Sequence, residues 1–103
     1  MLDHLTDEEF LSEFENCAFT RQCWTHQAHF RMAWLYLTRN PFGIATNKIV
    51  SGIKRFNASL NNQTDYHETI TQAYCRIIHH RIRMGASELS YKEFARQHQD
   101  LFQ

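Results

Sequence analysis

The chain predicts an all-α domain, and three features of the sequence predict it. Apolar residues recur at spacings of three and four along four stretches, Ser/Thr-x-x-Glu capping boxes with flanking hydrophobic staples mark helix starts, and no stretch alternates apolar and polar residues as a half-buried strand does. The expected architecture is a single compact bundle of four main helices plus a short fifth C-terminal helix over residues 1–103, with short connections and mostly antiparallel neighbours. At 103 residues the chain can bury one core and has little room for a second.

The first helix is expected near residues 7–17. Thr6-Asp7-Glu8-Glu9 is a capping box, Leu5 and Phe10 occupy its staple positions, and Phe10, Leu11, Phe14 and Cys17 continue the apolar stripe. Phe19 to Trp24 then connects to a second helix, with Thr25 as N-cap and Phe30, Ala33, Trp34 and Leu37 as its core face. Asn40-Pro41 ends that helix, because proline disfavours the helical region for the residue before it.

A third helix follows Gly43, with Ala45, Ile49, Ile53, Phe56 and Leu60 inward and Lys48, Lys54 and Arg55 outward. The fourth begins at Thr64 or Asp65 after a polar turn, carries Tyr66, Ile70, Ala73, Tyr74, Ile77 and Ile78 with an inner path from His67 through Ile70 or Thr71 to Tyr74, and stops at Gly85 as a C′ residue. Ser90-Tyr91-Lys92-Glu93, with Leu89 and Phe94 as staple, opens the fifth.

Net charge is zero, so overall charge provides no attraction to nucleic acid or to a membrane, and neither is an expected partner. The charges are nonetheless segregated. Residues 1–20 carry Asp3, Asp7, Glu8, Glu9, Glu13 and Glu15 with no Lys or Arg, whereas residues 21–60 carry Arg21, Arg31, Arg39, Lys48, Lys54 and Arg55 with no acid. The favoured expectation is that the acidic first helix lies against the basic second and third. The alternative is a basic face for an anionic partner.

Cys17, Cys23 and Cys75 are odd in number and lack a C-x-x-C spacing, which points to reduced, largely buried thiols in a cytoplasmic protein. The amino terminus has acids and no apolar h-region, so it does not read as a signal peptide, and no apolar run approaches the ~20 residues of a membrane helix. Glycine-rich phosphate loops and a Gly-x-Ser-x-Gly turn are absent from the sequence.

The residues with chemistry to offer are histidines. His26 and His29, three apart, project side by side at the edge of the second helix's core face, and His67 opens the fourth helix. Three imidazoles make a candidate site for a divalent metal (zinc, iron or manganese) with one coordination position open to activate water. Tyr66 and Glu68 are then candidate catalytic acid/base groups. The plainer alternative packs the histidines on the aromatic core with hydrogen bonds to carbonyls or hydroxyls, and leaves Glu68 to cap its own helix. His79 and His80 read as surface residues beside Arg76, Arg81 and Arg83 at a helix end, and His4 and His98 carry no signal.

Leu11-Ser12-Glu13-Phe14-Glu15, Trp24-Thr25-His26-Gln27-Ala28-His29-Phe30, Tyr36-Leu37 and Tyr66-His67-Glu68-Thr69-Ile70-Thr71 resemble the motifs of a group of small, largely uncharacterised bacterial all-helical proteins. That group reads L-x-x-F-E, W-T-H-x-A-H-L, Y-L and G-Y-H-E-T-x-T. The resemblance covers most of residues 11–75 and draws attention to His26, His29 and His67 without implying a reaction. Asp65 stands where the group has glycine, and relatives continue past the position of Gln103 into a further helix and a Pro-Asp-containing tail. Two functions are therefore expected in competition. One is a buried histidine site supporting metal-dependent chemistry on a small-molecule substrate. The other is a non-catalytic interaction or regulatory module that binds a protein partner or itself as a homodimer.

Overall fold

The computed structural model describes residues 4–20, 22–60, 68–86 and 91–102. The elements are α1 (Asp7–Glu15), α2 (His26–Arg39), α3 (Phe42–Ser59), α4 (Glu68–Arg81), a π turn (Ile82–Ala86), α5 (Tyr91–Gln97) and a 3-10 turn (Gln99–Phe102). No strand occurs among the described residues, so the all-α expectation holds.

Both legs of the first capping box form: Glu9 N–H donates to Thr6 Oγ1 at 3.1 Å and Thr6 N–H donates to Glu9 Oε1 at 2.9 Å. The helix ends two residues before its apolar stripe, at a Schellman motif. Ala18 N–H donates to the Glu13 carbonyl at 2.8 Å and Cys17 N–H to the Phe14 carbonyl at 3.1 Å, with Cys17 at φ 55° in the left-handed region that favours glycine. Cys17 is thus outside the helix, although its side chain still packs on the core.

α2 is the centre of the molecule. α1, α3, α4 and α5 all pack against it. Every residue from Phe30 to Leu37 is buried except Arg31, which is half-buried, so burial extends all round the helix. The expected core face (Phe30, Ala33, Trp34, Leu37) is correct but incomplete, since Met32, Leu35 and Tyr36 are equally enclosed. Asn40 is extended (φ −139°, ψ 156°) before Pro41, as the proline requires, and α3 starts at once at Phe42. Its start therefore precedes Gly43, which lies inside the helix.

α3 turns Ala45, Ile49, Ile53 and Phe56 inward as its spacing predicts, and adds Gly52. A Cβ at position 52 would lie 2.5 Å from Phe14 Cε2. Phe14 is fully buried and is flanked by Trp24 (centroids 5.1 Å), Phe56 (6.1 Å) and Tyr36 (6.3 Å). The α1–α3 contact therefore depends on the missing side chain.

α4 is rotated relative to the expectation. Ile78 is buried as expected, but it is joined by Cys75 and, in the π turn, by Ile82, whereas Ile70, Ala73 and Ile77 are exposed and Tyr74 is half-buried. The sequence contains two apolar rows one residue apart, and periodicity cannot choose between them; packing takes the second. Gly85 does not end α4 as a C′ residue but lies within the π turn. Thr64, Asp65 and the Leu89–Ser90 half of the second capping box lie outside the described residues. Phe94 of α5 is fully buried as expected, against Phe30 and Trp34, while Glu93 pairs with Arg96.

The segregated charges meet between α1 and α2. Asp7 accepts from Arg31 at 3.0 Å and Glu8 from Arg39 at 3.0 Å. Arg31 also donates to the Leu5 carbonyl at 2.9 Å and lies over the Phe10 ring at 4.5 Å. The favoured charge expectation is thus realised for the second helix. On the third, Lys48 and Arg55 face an open groove.

Two glycine substitutions should diverge. Gly52→Ala gains roughly 1 kcal/mol of helix propensity but forces a methyl into an enclosed ring, an overpacking cost of roughly 1–3 kcal/mol. Gly43→Ala meets nothing within 4 Å and takes the propensity gain alone. Urea denaturation should show Gly43→Ala stabilised and Gly52→Ala destabilised; the reverse order would contradict this α1–α3 packing.

Candidate functional site

Thr25 builds the amino-terminal end of α2. Its hydroxyl accepts from Ala28 N–H at 3.2 Å and caps the helix. Its carbonyl accepts twice from His29, from the main-chain N–H at 3.0 Å and from ring Nδ1 at 2.7 Å. A carbonyl cannot donate, so the proton is on Nδ1 and the free lone pair of His29 is on Nε2. The ring is half-buried, with its centroid 3.8 Å from that of Trp24. Burial pushes its pKa down, the bond to Thr25 opposes the shift, and the nearby His26 adds to it. His29 is therefore neutral at pH 7.

His26 takes a different partner. It is exposed, with its ring edge-on to Tyr74 of α4 at a centroid distance of 5.7 Å and Nε2 3.5 Å from the Tyr74 hydroxyl. The two histidines of the Trp-Thr-His-Gln-Ala-His motif are accordingly near one another but engaged by different neighbours, His29 by Trp24 and Thr25, His26 by Tyr74. Tyr66 and His67 lie outside the described residues. Glu68 is the first residue of α4, and its side chain lies outside the description. Among the described residues no group of three His, Cys, Asp or Glu side chains is placed to hold a metal ion.

The carboxyl-terminal histidines differ from their expected roles. His79 is half-buried, not a surface residue, and its ring lies tilted against Phe42 with centroids 4.7 Å apart; His80 is exposed as expected. Arg81 leaves the cationic cluster to bind Asp100 through both terminal nitrogens, at 3.1 and 2.8 Å. Its Nη1 also donates to His98 Nδ1 at 3.0 Å, and the His98 ring lies 4.4 Å from Phe94. His98, silent in the sequence, is therefore part of the latch that holds the last turn to α4. Burial first and Arg81 second lower its pKa.

A further polar feature is an open groove of about 460 Å³ lined by Glu15, Tyr36, Asn47, Lys48, Ser51 and Arg55. Tyr36 donates its hydroxyl to Glu15 at 2.6 Å, and burial together with this carboxylate raises the phenol's pKa well above its ordinary value. In the sequence, Glu15 and Tyr36 fall in the Leu-x-x-Phe-Glu and Tyr-Leu motifs and Lys48 and Arg55 in the basic stretch, but no pattern there brings them to one groove. Cys17, Cys23 and Cys75 are free thiols, and burial pushes Cys75 up to about 11, which makes it a packing residue and not a nucleophile. No helix among the described residues is long and apolar enough to cross a membrane.

Compared with protein-family models, with curated proteins and with solved structures, the chain finds no match.

The two depressed histidines fix the sign of an acid response. Each is neutral in the fold and binds a proton more readily in the unfolded chain, whose pKa is the ordinary 6.5. The unfolded state then holds more protons, so stability falls as pH drops through and below that value. Glu9 and Asp100, whose carboxyls are held low by Thr6 and Arg81, lose their contributions only at more acid pH. Urea midpoints measured from about pH 7.5 to about 5.5 should decrease, and His29→Gln with His98→Gln should flatten the curve. A midpoint that rises on acidification would refute both histidine environments.

Proposed function

We propose that the protein is a non-catalytic interaction module that receives another protein on the outer face of α4. One observation carries this. The exposed large apolar side chains among the described residues are Ile44, Ile70, Ile77 and Met84. Three of these four follow one another at intervals of seven residues, along α4 and into the π turn, with exposures of 57 %, 42 % and 74 %. Residues seven apart return to the same side of an α-helix after two turns, so Ile70 and Ile77 form a row with exposed Ala73 between them, and Met84 is exposed beyond it in the π turn. A single exposed isoleucine needs no explanation, whereas an aligned row is the signature of a covered surface. In this reading α1–α4 form a bundle that α5 closes, and α4 is apolar on both sides because it packs on both.

Ile70→Asp with Ile77→Asp tests it. Both sites are exposed, so each change should alter stability by no more than ~0.5 kcal/mol. Displayed helical-peptide libraries selected on the wild-type chain should yield binders that the double variant loses while its circular dichroism and melting are unchanged. Failure to enrich any peptide, or enrichment of peptides that bind both proteins equally, would remove the proposal.

A second reading is favoured by His29. Donation of one ring nitrogen to a carbonyl is how a ligating histidine is commonly oriented, with the other nitrogen left for the ion, and a lowered pKa keeps that lone pair unprotonated at neutral pH. Here His26, His29 and His67 hold zinc, iron or manganese, and Tyr66 and Glu68 serve as acid/base groups. This reading requires stoichiometric metal in protein prepared without chelator, lost in His29→Ala and kept in His80→Ala, with affinity declining as pH falls through the histidine range. Protein that takes up none of the three metals excludes it.

A further inference from the structure

We infer that the partner received by α4 is an acidic amphipathic helix. The inference rests on the interaction reading above and adds the chemistry of what binds.

Charge is the first ground. Arg76 and Arg83 are exposed beside Ile70, Ile77 and Met84. Neither has an ion-pair partner among the described residues, whereas Arg31, Arg39, Arg81 and Arg96 each have a carboxylate within reach. From Thr69 to Ala86 the sequence contains no Asp or Glu, so no residue of this stretch offsets the two guanidinium groups. Exposed His80 stands on the same side. A bare cation costs nothing in water, but beside an apolar contact it selects the partner. Carboxylates brought alongside are attracted, and lysines or arginines are repelled.

Shape is the second. Ile70 to Ile77 spans about 10 Å along α4, with Met84 exposed beyond them in the π turn, and a narrow row at seven-residue spacing is what the ridge of a second helix fills. An anionic membrane would need a broad apolar face, whereas here Arg76 and His80 interrupt the surface next to the row.

A second copy of the chain fits poorly on both grounds. The same face set against itself opposes arginine to arginine. The acidic helix of another copy, α1, has Phe10 and Phe14 fully buried in its own core, so it offers carboxylates without an apolar row to lay against the isoleucines.

The test uses the full chain and three synthetic helical peptides of about 21 residues, identical in their leucine stripe and differing only in flanking Glu, Gln or Lys. Binding is read by fluorescence anisotropy at about 50 and about 300 mM salt. The Glu peptide should bind roughly tenfold more tightly than the Gln peptide at the lower salt, the Lys peptide should bind least, and the difference should shrink at the higher salt. Arg76→Glu with Arg83→Glu, folded by circular dichroism, should reverse the order. Equal binding of all three peptides that Ile70→Asp with Ile77→Asp abolishes would overturn the acidic partner and leave the interaction reading standing. No peptide binding by the wild-type chain overturns the inference, and the library selection then decides the broader reading separately. Binding to phosphatidylcholine–phosphatidylserine vesicles in place of the peptides, or dimerisation in sedimentation that Ile77→Asp removes, would overturn it in favour of a membrane or a second copy.

Discussion

Phe14 can occupy the middle of this molecule only because position 52 carries no side chain. The ring passes 2.5 Å from where a β-carbon of α3 would be, between Trp24 of the connecting segment and Phe56 of α3, with Tyr36 of α2 beside it. One residue thus sets the spacing of α1, α2 and α3 together. Interiors pack at crystal-like density, so a ring enclosed on several sides cannot yield to a neighbour without moving an entire helix. The acid–base pairs between α1 and α2 are secondary to this. Asp7 and Glu8 are partly or largely exposed, and pairs of that kind add little beyond fixing orientation. Arg31 is the exception, because its guanidinium also covers Phe10 and holds the Leu5 carbonyl, closing the end of α1 over the core.

Enclosing α2 on all sides has a consequence for the histidines at its start. In the body of the helix the neighbouring elements occupy almost every direction, and polar chemistry is displaced to the ends. His26 and His29 sit there, at the rim, where Thr25 can be both a cap and an orienting acceptor. The same displacement operates beside α5. Arg81, His98 and Asp100 join the final turn to α4 at the edge of the aromatic cluster of Phe30, Trp34 and Phe94, with the His98 ring against Phe94.

Local signals were legible in the sequence and long-range ones were not. Thr6 with Glu9, Thr25, and Asn40-Pro41 act within three or four residues, and each does in the structure what its chemistry predicts. α3 was legible because one face of it is apolar and the other is not. α4 was only partly legible because Ile70 and Ile77 lie one residue from the row of Cys75, Ile78 and Ile82, and the second row is the one enclosed. A periodicity argument needs a single apolar row, and it cannot choose where a helix has two. Likewise the expected inner edge for His26 and His29 presupposed an outer side, which the body of α2 scarcely has. The His98 latch depends on residues seventeen and nineteen positions apart, beyond any local pattern.

The π turn at Ile82–Ala86 accommodates one residue more than the α-helical turn it replaces, which is the geometry left when a residue is inserted into a helix. It buries Ile82 and sends Met84 outward within three positions. Among chains descended from a common ancestor, variation at this point would then take the form of a change in length and not of a change in residue type. Loss of a single codon here would regularise the helix and re-aim its last turn. The end of the exposed row could be gained or discarded in one genetic step, with the buried half of α4 left in register.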